Sequence, residues 1–399
     1  MKPDISNSET QKSAPTWGEE APGQKPLHAA IIGGSLGGLC AAHALRGAGC
    51  TVEVFEKSSA QMGDRGAGLV MQMDVLHLLE RYGITTGAQV GVPSLHRQYL
   101  RRDGGVASGG ASFQLMTSWD TVYHQLRDAF PDDHIRHGFR VREFEPSGDE
   151  VKVWFENGHE TSCDLLVCCD GANSTARQLL LPGAKPEYAG YVAWRGVVDE
   201  GEMTPESAQV FADKFTFFQM TGSHILCYLI PGEGGELEAG KRRLNWVWYW
   251  NVAPGAELQA HLTDSSGLLR DYSIPRGQMS PELIERQREI ARQVLPPAFA
   301  ELVLATSDPF IQPIYDLSVP QMAFGRIALM GDAAFVPRPH TAASTAKAAG
   351  NALGLGEAIE RFGRDVEGAL RAWEPAQLRM GFSLREQGMA LGNRSQFGT

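Results

Sequence analysis

Three short clusters hold residues whose types and spacing could do chemistry. In the first, Gly33-Gly34-Ser35-Leu36-Gly37-Gly38 forms a GxGxxG-like turn with serine at the middle glycine, and Glu56, next to Lys57, stands 23 residues beyond Gly33. Small residues let the backbone turn tightly and let a pyrophosphate approach the unpaired N–H groups of a helix start. An acid at the end of the following strand can bind a ribose diol. That chemistry is dinucleotide binding. The second cluster, Asp170-Gly171-Ala172-Asn173-Ser174-Thr175-Ala176-Arg177, and the third, Gly331-Asp332-Ala333-Ala334, each follow an apolar run. A carboxylate at a strand end can hold polyol hydroxyls, and the helix start soon after Asp332 can stabilise an anionic ring.

Acid–base candidates are fewer. His340, in Arg338-Pro339-His340, either faces the site as a base or caps the helix that follows. His224 and Tyr228 share one face of SHILCYLI and either mark a pocket or are hydrogen-bonded core residues. Tyr191 and Arg195, four apart in YVAWRG, also share a face, and Arg195 suits a substrate carboxylate or an ion pair. No His, Cys, Asp or Glu set has metal-ligand spacing, so no metal is expected.

The elements that position these residues follow from periodicity. LHAAII, the helical LCAAHALRGAG and TVEVF make a strand–turn–helix–strand unit around the first cluster. VKVWF and the wholly apolar CDLLVCC flank Asn157-Gly158, a hairpin signal. From about 187 to 304 long alternating strands take over, with Trp246, Trp248 and Trp250 on one face of RLNWVWYWNV, a stripe read as core. Residues 281–304 are helical apart from a Pro-Pro break, RIALMGDAA returns to strand, and 343–381 is again helical.

The 399 residues carry 36 basic and 47 acidic side chains, a net charge of −11, with no basic block, which disfavours nucleic acid and anionic membranes as partners. No apolar stretch is long enough to span a bilayer and no secretory leader is recognisable, so a cytoplasmic protein is expected. The six cysteines lack paired spacing and read as buried thiols. Glycine is abundant, at 45 residues, and its positions need a reason.

With these motifs in hand, the chain resembles the FAD-dependent aromatic hydroxylases, single-component flavoprotein monooxygenases of the p-hydroxybenzoate hydroxylase fold. GGSLGGL, TSWDTVYHQL, YAGYVAWRG, RLNWVWYWNVA and GDAAFVPRPHTAA look like the 2,6-dihydroxypyridine 3-hydroxylase group. The resemblance implies an α/β protein: a Rossmann-like FAD-binding domain (27–186 and 305–370) with an inserted, mainly antiparallel substrate sheet (187–304) and a C-terminal helical segment (371–399); residues 1–26, rich in Ser, Pro, Glu, Gln and Lys without apolar periodicity, read as a disordered tail. It places Gly33, Ser35, Leu36, Gly38, Glu56, Lys57, Gln72 of GAGLVMQ, Asp170, Gly331, Asp332, Ala343 and Ser344 at FAD. Tyr191, Arg195, Tyr228, Pro339 and His340 fall to the substrate, and His340, His224 and Tyr228 to catalysis.

The activity implied is hydroxylation of a small electron-rich aromatic, a hydroxylated N-heterocycle such as a pyridine derivative. It would proceed through a flavin C4a-hydroperoxide, with non-covalent, tightly bound FAD, and with NADH or NADPH and O₂ as co-substrates. A homodimer is left open, and an oxidoreductase of the same fold that inserts no oxygen is the alternative. Two positions depart from the wider family: Trp119 replaces its usual arginine, and Ala342-Ala343-Ser344 replaces Gly-Gln-Gly.

Overall fold

The computed structural model describes residues 25–59, 67–85, 90–274 and 276–399, so all but the last two residues of the tail read at 1–26 lie outside the described residues. Strand β1 (His28–Ile32) pairs in parallel with β2 (Thr51–Glu56) and β10 (Leu165–Cys168). β6 (Ile135–His137) and β17 (Ile327–Leu329) extend the sheet on either side, and β16 (Ala323–Phe324) closes one edge antiparallel. All of β10 and β17 is buried, as strands covered on both faces must be. Helix α1 (Leu36–Gly47) leaves β1 through the glycine turn and packs on α9 (Ser344–Phe362).

The crossover from β6 to β10 is a meander of β7 (Val141–Ser147), β8 (Glu150–Phe155) and β9 (Glu160–Cys163). Asn157-Gly158 does turn a hairpin, but its returning strand is β9, with Trp154 opposite Glu160, while CDLLVCC supplies β10 of the parallel sheet. A wholly apolar strand needs cover on both faces, which the parallel sheet provides and a surface hairpin does not.

The second sheet has eight strands in the order β15-β11-β14-β13-β12-β4-β5-β3. The stretch read as 187–304 supplies β11 (Glu187–Asp199), β12 (Lys214–Met220), β13 (Ser223–Ile230) and β14 (Arg243–Asn251). The other half comes from outside it: β3 (Gly68–Met71), β4 (Val92–Leu100), β5 (Val106–Ser118) and β15 (Phe310–Asp316). The sheet is mixed, antiparallel throughout except where β4 runs parallel to β12.

Trp246 and Trp248 are fully buried, packing with Phe211 of α5 (Pro205–Phe211), Ala291 of α7 (Pro281–Val294) and Phe299 of α8 (Pro297–Ala305). The tryptophan stripe is therefore core. By alternation Asn245, Val247 and Tyr249 take the opposite face. The remaining helices are α2 (Met73–Arg81), α3 (Trp119–Asp128), α4 (Thr175–Leu180), α6 (Ala256–Leu262) and α10 (Val366–Phe397). The helical run expected at 343–381 is two helices, α9 and α10, parted at Gly363, whose φ is +56°. No helix among the described residues is long and apolar enough to cross a membrane.

Candidate active site

The glycine turn is built for close approach. Gly33 has φ +103°, and a Cβ there would stand 2.5 Å from the Cys169 carbonyl oxygen at the end of β10. A Cβ on Gly38 would meet the Gly33 carbonyl oxygen at 1.8 Å. Ser35 is the N-cap residue of α1 and its hydroxyl makes no capping bond, while Leu36 opens the helix. The Glu56 carboxylate, nearly inaccessible at the tip of β2, accepts from the backbone N–H of Gly34 and of Ser58, both at 2.8 Å. Those bonds hold it at the wall of a cavity of about 360 Å³ that Gly33, Ser35, Lys57 and Asp170 also line.

Asp170 is braced by the Ser174 hydroxyl at 2.5 Å and the Ala176 N–H at 3.1 Å, at the start of α4. Arg177 of that helix, buried, donates to the carbonyls of Ala172 and Ala333 and so ties the second cluster to the third. Asp332 accepts from Ser344 Oγ at 2.7 Å and from the buried Lys347 Nζ at 2.8 Å, leaving its carboxylate partly exposed. It lines a second cavity of about 750 Å³ together with Trp119, Arg195, Pro339 and Ser344. Ala172 and Ser273 border both cavities, which are therefore contiguous. Ala343 is the N-cap residue of α9, whose start points its partial positive charge at this space.

A third cavity, of about 160 Å³, adjoins the second through Arg195, Pro337, Pro339 and Ser344. Leu226 and Tyr228 of β13, Val247 and Tyr249 of β14 and Arg195 of β11 form one wall, as the strand pairing requires. Arg195 is only partly buried, pairs with no carboxylate among the described residues, and leaves its Nε without a partner. Burial pushes the Tyr228 phenol well above its ordinary range and Tyr249 up to about 12, with the Arg195 charge opposing both shifts. Sequence reasoning missed Tyr249. The tryptophan alternation was its signal, since a core stripe on even positions sends 249 to the cavity.

Other expected residues stand elsewhere. His340 does not line the three cavities; its Nε2 lies 2.9 Å from Tyr191 Oη, and its ring lies against Tyr249 and His224. Tyr191 is fully buried on the same face as Arg195. Nor does His224 line them: its Nδ1 is engaged by Ser395 at 2.6 Å and Gln396 at 3.0 Å. With the Gln396 amide donating, Nδ1 is the acceptor and the ring proton sits on Nε2. Gln72 spends its amide on the loop, donating to the carbonyls of Thr341 (3.3 Å) and Ala342 (2.8 Å), and Ala342 is left-handed at φ +52°.

Burial lowers His224 to about 4, and burial with the neighbouring His224 and Arg338 charges lowers His340 to about 3. Both are neutral at pH 7. The unfolded chain takes up these protons near pH 6.5, so stability should be flat above that value and decline as pH falls toward 4. Melting temperature followed from pH 7.5 to 5 should drop, and drop less steeply in His224→Gln. Equal slopes for variant and wild type would remove His224 as a source.

The glycine cradle, the acid at the end of β2 and two further carboxylates at strand ends lie along contiguous cavities, and their chemistry fits FAD. Such a site, between a parallel sheet and a mixed one, defines a flavin-dependent oxidoreductase. The FAD binding domain family matches residues 27–197, and the FAD binding domain-like family matches 188–316. The chain is 34% identical to 2,6-dihydroxypyridine 3-monooxygenase of Paenarthrobacter nicotinovorans over 92% of this chain and 91% of that one. Its identity to 6-hydroxynicotinate 3-monooxygenase of Pseudomonas fluorescens is 24% over 84% and 83%. The solved 2,6-dihydroxypyridine-3-hydroxylase from Arthrobacter nicotinovorans superposes with a TM-score of 0.88 at 33% identity, covering 94% of each chain. The chain belongs to this family: it is an FAD-dependent monooxygenase of the p-hydroxybenzoate hydroxylase fold.

Proposed function

We propose that the enzyme hydroxylates a small hydroxylated N-heteroaromatic, a hydroxypyridine, held as its oxyanion in the third cavity. The observation that carries this reading is Arg195, whose guanidinium pairs with no carboxylate among the described residues and leaves its Nε without a hydrogen bond, at the junction of the two inner cavities. About 160 Å³ suits one small ring, since a cavity of about 150 Å³ accommodates benzene. A ring oxyanion beside Arg195 would satisfy the charge, and ionisation makes the ring carbons more electron-rich. Tyr228 and Tyr249, with raised pKa values, stay protonated and donate to that oxyanion rather than act as bases. His340, lowered to about 3, is poorly suited to take a proton at neutral pH, which favours a substrate acidic enough to ionise on meeting Arg195.

Bound FAD supplies the oxygen chemistry, with electrons drawn from NAD(P)H. Gly33, Ser35, Glu56 and Asp170 would hold its ADP half, and Asp332 with the α9 start its ribityl and ring portion. Pro337, Pro339 and the loop to Ser344 line the ring-binding cavity on the side facing the second cavity, where a bound flavin and ring together would exclude water. The six buried, unpaired thiols support a cytoplasmic setting.

The test is a panel of hydroxypyridines and hydroxynicotinates, read as substrate-stimulated NADH oxidation with the product analysed by mass. The expected result is a stoichiometric product one oxygen heavier. Stimulated oxidation that yields only hydrogen peroxide with every heterocycle, or turnover that persists without O₂, would sink the assignment.

A further inference from the structure

The last five turns of α10 pack behind the ring-binding cavity, one residue removed from it. Three glycines bring the helix in: a Cβ at Gly381 would strike the Phe335 ring at 2.5 Å, at Gly388 the Arg338 backbone nitrogen at 3.0 Å, and at Gly392 the Tyr191 hydroxyl at 2.5 Å. Close approach then permits specific contacts. Arg338, buried, donates through Nε and Nη2 to Asp316 of β15 at 2.7–3.1 Å and through Nη1 to Asn393 Oδ1 at 2.8 Å. Its guanidinium also lies 5.5 Å from the Tyr191 ring centre. Three residues beyond Asn393, Gln396 accepts at its carbonyl from Asn251 Nδ2 at 2.9 Å, while Ser395 and the Gln396 amide hold His224.

Each group gripped by the helix has a neighbour in the cavity wall. Arg338 itself lines the cavity between Pro337 and Pro339. His224 stacks on Tyr249 with ring centres 4.6 Å apart, and Tyr249 lines the cavity from the sheet side. His340 fills the gap between them, 4.7 Å from Tyr249 and 5.4 Å from His224. The Pro337–Pro339 loop and the sheet wall are thus held from behind by one helix end.

We propose that Asn393 and Ser395 are positioning residues of the active site: the end of α10 sets the spacing between the Pro337–Pro339 loop and the Tyr249 wall, and with it the fit of the ring. This rests on the substrate reading above, because the cavity that it shapes is the one assigned to the heterocycle. A loosened wall admits water and misplaces the ring, so reduction of the flavin continues while oxygen transfer fails. Misplacement by about 1 Å can cost about a hundredfold in productive chemistry.

The experiment uses full-length, flavin-loaded protein. Asn393→Leu removes the acceptor for Arg338 and Ser395→Ala the hydroxyl on His224, while Asn393→Asp and Ser395→Thr keep them. Ligand affinity is read from the flavin difference spectrum with the hydroxypyridine panel, then KM, kcat for NADH oxidation and product formed per NADH. Expected for Asn393→Leu are wild-type flavin content, affinity and KM weaker by about tenfold, kcat within about twofold, and a product ratio below about one half. Ser395→Ala should shift the same quantities in the same direction by less, and both conservative variants should restore them.

Unchanged affinity and coupling in Asn393→Leu and Ser395→Ala would overturn the proposal, as would equal losses in the conservative pair. Should Asn393→Leu not fold, Ser395→Ala, which deletes a single hydroxyl, carries the same decision. A wild type that binds the panel without hydroxylating it would overturn the substrate reading alone, because the affinity comparison needs no turnover.

Discussion

Arg195→Met should give a yellow, folded protein that binds FAD like the wild type and hydroxylates hardly at all. The side chain reaches the junction of the two inner cavities and has no carboxylate to pair with among the described residues, so removing it leaves no buried anion stranded. Its loss therefore costs little stability. In the proposed complex the same change strips the oxyanion of the one guanidinium lining the cavity that is not already paired with a carboxylate, since Arg338 is held by Asp316. Deleting a single oxyanion donor typically costs about 10²–10³ in rate, and a charged donor belongs at the upper end. We expect kcat/KM to fall by about 10³, with Arg195→Lys recovering part of the loss, since the ammonium keeps the charge and lacks the planar fork. Flavin absorbance, melting temperature and product yield measured on one preparation separate the effects. A fall of less than tenfold would mean that the substrate is not held as an anion here.

The second large effect should come from one methyl group. Gly38→Ala puts a Cβ 1.8 Å from the Gly33 carbonyl oxygen, and both partners are backbone, at the first turn of a helix and at the end of a central strand. Neither can yield without moving α1 away from β1. Overpacking of this kind costs about 1–3 kcal/mol where side chains can shift, and backbone against backbone should exceed that range. The variant should be isolated as colourless, destabilised protein or not at all. Gly37→Ala is the matched control one residue earlier, because its Cβ would find only Ala348 Cβ at 3.7 Å and Cys169 Cβ at 4.0 Å, ordinary contacts. It should retain flavin and melt near the wild type. Equal behaviour of the two variants would show that the turn tolerates bulk and that steric closeness is not what glycine provides.

Much of the cofactor site was legible because its signals are local. A glycine turn between a strand and a helix, an acid at the next strand end and two further Gly/Asp pairs can each be read within a few residues. The structure lays them along contiguous cavities. Arg195 and Tyr228 were legible as strand residues facing one way, and both line the small cavity. The histidines were harder, because a histidine's chemistry depends on what stands behind it. For His224 that is the far end of the chain, with Ser395 and Gln396 171 and 172 positions away. Long-range pairing also hid the recruitment of β3, β4, β5 and β15 into the second sheet. Alternation says which face a residue takes and is silent on which strand lies beside it. Trp246 and Trp248 show the same limit from its favourable side: their stripe announced a core, and with it the opposite, cavity-facing surface where Tyr249 stands.

The strand order of the eight-stranded sheet bears on how such a protein could be re-engineered. The chain passes between the two sheets four times: out after β2, back at β6, out again after β10 and back at β16. A substrate lobe stitched in this way has no pair of adjacent cut points at which it could be lifted out whole. Grafting another enzyme's aromatic specificity by a single splice would orphan half of the sheet's strands on the wrong side of the junction. Change in substrate is left to point replacements on the cavity face, where a side chain such as Leu226 or Val247 can be exchanged without disturbing the hydrogen-bond ladder that carries it.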